Sequence, residues 1–78
     1  MKRKDVDSSM LVSIGYDEKK KILEVEFTSG GIYEYYDVDK KTYDELMNAD
    51  SHGSYFYHNI RDDYDFSQIG KRKRSQKY

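Results

Sequence analysis

Apolar and polar residues follow two different periods along this chain, and the change falls near Val38. Upstream the period is two. Met10, Val12, Ile14 and Tyr16 alternate with Leu11, Ser13 and Gly15, and Leu23, Val25 and Phe27 alternate with Glu24 and Glu26, as half-buried strands do. The polar run Asp17-Glu18-Lys19-Lys20 between them is short enough for a hairpin connection. A third strand, Ile32-Tyr33-Glu34-Tyr35-Tyr36, follows Thr28-Ser29-Gly30-Gly31, whose glycines permit the positive φ of a tight hairpin. Downstream of Val38, Tyr43, Leu46 and Met47 stand at i, i+3 and i+4 and predict a helix over about Lys40 to Ala49, with Asp39 at its N-cap. Ser51 can cap a second short helix carrying Tyr55, Phe56 and Ile60. The segment Tyr64-Asp65-Phe66 fits either an extension of that helix or a short fourth strand. The expectation is therefore an α+β fold, a three-stranded antiparallel meander packed by one or two short helices.

At 78 residues the chain has room for one core only. So short a chain buries a modest share of its surface, and nine Tyr with three Phe supply bulky side chains to compensate. The absence of Cys excludes a disulfide scaffold and thiolate metal sites. The start, Met1-Lys2-Arg3-Lys4-Asp5, lacks the apolar run of a signal peptide or membrane span. A cytoplasmic protein without membrane contact is expected.

The net charge of -1 conceals a segregation. Lys2, Arg3 and Lys4 at one end, with Lys71, Arg72, Lys73, Arg74 and Lys77 at the other, hold eight of the fourteen basic residues. The middle keeps six bases against all fifteen acids, a net of -9. Like-charged blocks without apolar residues repel themselves and remain disordered. A folded body over residues 6–69 between flexible basic ends, 1–5 and 70–78, is the reading of the composition shifts.

The order Val6, Ser8-Ser9, Ile14-Gly15-Tyr16-Asp17, Leu23, Val25, Phe27, Gly31, Tyr33-x-Tyr35, Val38, Tyr43, Leu46, Ala49, Ser51-x-Gly53, Tyr55-Phe56, Ile60 and Tyr64 resembles the KTSC domain family across nearly the whole body. That family takes its name from the C-terminus of some lysyl-tRNA synthetases and also occurs as free-standing small bacterial and phage proteins. Its hallmark is the central YxY, here Tyr33-Glu34-Tyr35. The resemblance implies the fold and a lean toward RNA. Asp39 departs from a common proline, and Tyr57 from a common asparagine. The basic tail lies outside the pattern.

Candidate chemistry narrows to binding. Tyr33 and Tyr35, two apart on one strand, share a sheet face. A two-residue Ser29-Gly30 turn sets Val25 opposite Glu34 and exposes both rings; a bulge sets Phe27 opposite Tyr33 and Val25 opposite Tyr35, and both become core. The continuous apolar face of the second arrangement favours it. Tyr36 falls on the other face in either case. Exposed rings beside basic groups suit single-stranded nucleic acid, so the candidate RNA-contacting residues are Lys2, Arg3, Lys4, Tyr33, Tyr35, Tyr36, Lys71, Arg72, Lys73 and Arg74. The acidic body repels a polyanion, so the basic ends would supply the attraction. A basic protein partner, held by the acidic body in the manner of a small phage-type regulator, is the alternative.

Enzyme readings are weak. His52 and His58 lie six apart, on different helix faces, and make no shared metal site. Asp62-Asp63-Asp65 has too few ligands for an EF-hand, and Gly30-Gly31 joins strands without opening a helix as a phosphate loop does. No catalytic residue, metal, cofactor or small-molecule substrate is expected.

Overall fold

The computed structural model describes residues 2–71. It is α+β, with the element order β1 (Arg3–Asp5), β2 (Leu11–Asp17), β3 (Ile22–Phe27), β4 (Gly31–Tyr35), α1 (Lys40–Asn48), α2 (His52–Asn59) and β5 (Phe66–Lys71). The strands form one antiparallel sheet in the order β1-β2-β3-β4-β5. The sheet has five strands where the hydrophobic pattern shows three. Both additions are edges, and an edge strand is held by backbone pairing to a single neighbour while charged side chains guard it. Arg3-Lys4-Asp5 and Phe66-Ser67-Gln68-Ile69-Gly70-Lys71 therefore carry no clean alternation. Strand β1 lies within the segment expected to be a flexible end, and Gly70 and Lys71 belong to β5. The disorder expected beyond them, at Arg72, Lys73, Arg74 and the rest of the tail, falls outside the described residues.

The β2–β3 connection is the expected polar turn. Asp17 Oδ1 accepts from the backbone N–H groups of Lys19 and Lys20, each at 3.1 Å, and Lys21 closes the turn at φ 57°. Strand β2 breaks its alternation. A register shift between Leu11 and Ser13 brings Leu11 opposite Phe27 and turns it into the core at 1% exposure, and Met10 is left exposed. An extra residue moves every side chain beyond it across the sheet, so the simple alternation misses that Leu11 belongs to the core.

The β3–β4 hairpin decides the tyrosine question. Its loop has three residues, with Gly30 at φ +107° donating its N–H to the Phe27 carbonyl at 2.8 Å. Val25 then opposes Tyr33, and Leu23 opposes Tyr35. Neither expected pairing is the observed one, because the strand sits further along. The side-chain face is nevertheless that of the bulged alternative. Tyr35 joins the core at 4% exposure, and Tyr33 packs half-buried at its margin.

The two helices cover this same face. Leu46 of α1, with Phe56 of α2 and Ile60 at its C-cap, packs against Leu11, Ile14, Leu23, Val25, Tyr35 and Val38. Asp39 precedes α1 as expected but makes no side-chain cap bond. Ser51 does cap α2, accepting from the Ser54 N–H at 3.2 Å. Gly53 sits at a close approach: a Cβ there would lie 3.2 Å from Ser8 Oγ and 3.4 Å from Met10 Cβ. Ser8 Oγ is itself fixed, accepting from the N–H groups of Met10 and Leu11 at 3.1 and 3.2 Å. The serine pair near the start and the Ser51-x-Gly53 pair thus meet in space.

Candidate binding surface

The sheet face away from the helices is polar and organised around Arg3. Register places Arg3, Gly15, Glu24, Glu34 and Ser67 in one row across the sheet, with Asp5, Ser13, Glu26, Ile32 and Gly70 two rows along. The Arg3 guanidinium pairs with the Glu24 carboxylate, donates from Nε to Ser13 Oγ at 2.9 Å and lies 3.7 Å from Glu26 Oε1. Ser13 donates in turn to Glu26 Oε1 at 3.0 Å. A carboxylate as buried as Glu26, 7% exposed, needs such charge-assisted partners. Tyr36 stands on this face too and donates its hydroxyl to Glu34 Oε1 at 3.2 Å.

Among the described residues, the basic side chains of the two ends do not converge. The register puts Lys2 at the Tyr16–Phe66 end of the sheet, on the β1 edge, whereas Lys71 pairs with Gly31 at the opposite end of the β5 edge. Four strand spacings of about 4.8 Å separate those edges by about 19 Å. Lys4 is exposed on β1, and Arg72, Lys73 and Arg74 lie outside the described residues.

On the helix side, β4, β5 and α2 enclose an aromatic groove of about 670 Å³ lined by Met10, Phe27, Ser29, Tyr33, Tyr35, Phe56, Tyr57, Arg61, Asp62 and Phe66. Its floor is an interlocked set of rings. Tyr35 meets Phe56 edge-on at 5.3 Å and stacks on Phe66 at 5.4 Å. Phe27 meets Tyr33 and Phe56 edge-on, each at 5.4 Å. Such offset and edge-to-face contacts match the ring quadrupoles. The rim stays open: Tyr57 is 49% and Phe66 54% exposed. Arg61 lies over the Tyr57 ring, 4.9 Å from its centroid, a cation–π contact. Lys71 shares the face of Gly31 and so stands at the Phe27 end of the groove.

Gly31 shapes the groove. A Cβ there would come within 2.9 Å of Tyr33 Cε1, so the Tyr33 ring lies over the bare backbone of its neighbour two residues back. The sequence marks Gly31 only as a turn glycine; its use is close approach. The sequence marks Tyr57 only as a departure from the family pattern and does not mark Arg61, although their i, i+4 spacing is a surface-pair signal. Phe66 is ambiguous in sequence because its strand begins where the helix pattern fades.

Burial, followed by the neighbouring Tyr33, pushes the Tyr35 phenol up to about 12. The Tyr55 phenol is also pushed up to about 12, chiefly because it donates to Glu45 Oε1 at 2.7 Å. Tyr16 is raised by burial and then by Asp39; its hydroxyl donates to the Val38 carbonyl and its ring stacks on Tyr43 at 4.7 Å. These are structural tyrosines. His52 Nδ1 meets the Leu46 carbonyl at 2.9 Å, and His58 packs edge-on against Tyr57. Among the described residues no cluster of His or carboxylate groups could hold a metal ion. No helix among them is long and apolar enough to cross a membrane.

An antiparallel sheet covered on one face by two short helices, with tyrosines interlocked at the margin of its core, defines a small α+β module. The chain belongs to the KTSC domain family, whose model matches residues 7–64. The matched span holds β2, β3, β4 and both helices and omits β1 and β5. A KTSC domain protein from Yersinia pestis has the same architecture, with a TM-score of 0.86 at 35% identity over 88% of this chain and 97% of that one. An uncharacterized protein from Stutzerimonas stutzeri is 48% identical over 56 residues, 72% of this chain and 79% of the relative. A lysine--tRNA ligase from Nostoc punctiforme is 33% identical over 63 residues, which are 81% of this chain and only 11% of that enzyme.

Proposed function

We propose that the protein is a non-catalytic module that contacts single-stranded RNA along the aromatic groove beside β5. The observation that carries this reading is the rim itself. Tyr57 and Phe66 offer half-exposed ring faces, Arg61 lies against one of them, and Lys71 stands at the other end. Bases stack on such rings without sequence preference while cations meet the phosphates. The chain continues from Lys71 directly into Arg72, Lys73 and Arg74, which extends positive charge from that end. The opposite sheet face, with Glu24, Glu26 and Glu34, repels a polyanion, so the approach is one-sided. The same domain forms a small part of an enzyme named for tRNA, which agrees with a role near RNA.

The test is titration of the full chain with a fluorescent single-stranded oligoribonucleotide at low salt. Tyr57→Ala combined with Phe66→Ala should weaken binding by tenfold or more, since each stacked base contributes about 1 to 3 kcal/mol. Arg61→Gln should flatten the logarithmic salt slope by roughly 0.7 for one lost phosphate contact. Circular dichroism should show the fold retained. Absence of any binding by the unaltered protein at low salt rejects the RNA reading in favour of a basic protein partner on the acidic face.

A further inference from the structure

The aromatic groove carries polar groups that the fold does not use. Four tyrosines tie off their hydroxyls within the chain: Tyr16 on the Val38 carbonyl, Tyr36 on Glu34, Tyr55 on Glu45 and Tyr64 with Thr42. Tyr35 is more deeply buried than any of these, at 4% exposure. Yet among the described residues neither its hydroxyl nor that of Tyr33 has a hydrogen-bond partner. A buried phenol ordinarily finds one. Phenylalanine would make the same ring contacts with Phe56 and Phe66, so packing accounts for the Tyr35 ring and leaves its oxygen over. No fully buried side-chain nitrogen or oxygen among the described residues lacks a partner. The small exposed part of Tyr35 therefore includes its hydroxyl, and the surface on which Tyr35 opens is the groove.

Charged groups gather around that oxygen. Tyr33, Arg61 and Asp62 are the ionisable neighbours that act on the Tyr35 phenol, and all three line the groove with it. Asp62 is the only carboxylate among the lining residues. Its contact with Arg61 is loose, Oδ1 to Nε at 4.0 Å, and its side chain is 80% exposed, so both carboxylate oxygens can accept from a ligand. The groove thus joins two phenol donors and one carboxylate to the open ring faces of Tyr57 and Phe66.

One RNA base complements that set. Guanine presents two adjacent N–H donors, at N1 and N2, followed along the same rim by the acceptors O6 and N7. A carboxylate takes both donors in parallel, the bidentate arrangement that makes charge-assisted pairs strong. Uracil has a single N–H between two carbonyls, and adenine and cytosine set one amino group beside a ring acceptor that a carboxylate repels. We propose that the groove takes guanine from single-stranded RNA, with Asp62 accepting from N1–H and N2–H while the Tyr33 and Tyr35 hydroxyls donate to O6 and N7. The central YxY then has two uses: its rings pack at the core, and its hydroxyls read the base. This inference rests on the RNA reading of the groove and adds sequence choice to it, since stacking on the rim alone is indifferent to the base.

The test uses short oligouridylates carrying one central guanosine, inosine, adenosine or uridine, titrated into the full-length chain at one low salt concentration. The unaltered chain should bind the guanosine oligomer about tenfold or more tightly than the uridine one, as a bidentate base contact discriminates. Inosine, which lacks the N2 amino group, should fall between them, and this comparison needs no variant. Asp62→Asn should collapse the guanosine-to-uridine ratio. Tyr33→Phe combined with Tyr35→Phe keeps the rings and should collapse it as well, with the circular dichroism spectrum unchanged. Equal binding of the four oligomers, or an undiminished ratio in either variant, overturns the guanine assignment and leaves the RNA reading standing. Absence of binding to every oligomer overturns both.

Discussion

Replacement of Tyr35 by alanine removes the tyrosine on which the sheet and α2 both lean. The side chain is 4% exposed, meets Phe56 at 5.3 Å with an interplanar angle of 83°, and stacks on Phe66 at 5.4 Å and 30°. Truncating a buried aromatic costs about 3 to 5 kcal/mol from lost transfer energy and the cavity left behind. Two ring contacts, each about 0.5 to 1.5 kcal/mol, place Tyr35 toward the upper part of that range. A chain of 78 residues has a folding free energy of about 4 to 12 kcal/mol, so Tyr35→Ala should leave the domain barely folded or unfolded at 25 °C. Tyr35→Phe keeps the ring and both contacts and should stay within about 1 kcal/mol of the unaltered protein. Tyr33→Ala, at a half-buried position, should fall between, and Tyr36→Ala on the outer face should cost least. Urea denaturation followed by far-ultraviolet circular dichroism gives all four values. An unmoved midpoint for Tyr35→Ala, or a larger loss for Tyr36→Ala, would refute the placement of the YxY pair in the core.

Gly53→Val should destabilise by about 1 to 3 kcal/mol, as overpacking does, because the added Cβ meets Ser8 Oγ at 3.2 Å and would disturb the hydroxyl that fixes the turn before β2; an unchanged urea midpoint would count against that contact. The phenols of Tyr35 and Tyr55, both pushed up to about 12, keep their protons in the folded protein at pH values where the unfolded chain, with phenols near 10, has lost them. Their contribution to stability is therefore intact below pH 10 and is lost as the pH rises from 10 toward 12. Phenolate absorbance during an alkaline titration should show a fraction of the nine tyrosines delayed until unfolding, and uniform titration near pH 10 with the fold intact would contradict it.

The sequence by itself determined the class of the fold and most of its central parts. Two-residue alternation located β3 and β4, the i, i+3, i+4 pattern of Tyr43, Leu46 and Met47 located α1, and Ser51 stood where the second helix is capped. These are local consequences of which side chains one element must bury, and a periodic pattern records them directly. The same pattern favoured the apolar face for Tyr33 and Tyr35 over an exposed one, and neither pairing it offered is the observed register. Tertiary structure decided what periodicity cannot carry. The bulge that turns Leu11 inward leaves no mark in the alternation, because the shift appears only against the Phe27 and Glu26 positions of a neighbouring strand. Strands β1 and β5 are held by backbone bonds; β1 reads in sequence as a charged end, and β5 follows a segment whose pattern fits helix or strand equally. The groove brings residues of β4, α2 and β5 together across more than twenty positions of chain. The encounter of Arg3 with Glu24 and Glu26 likewise spans about twenty residues, so two charges read separately as a basic end and an acidic body become one ion-paired site. Periodicity reports what a single element buries; register and three-dimensional packing decide which elements share a surface.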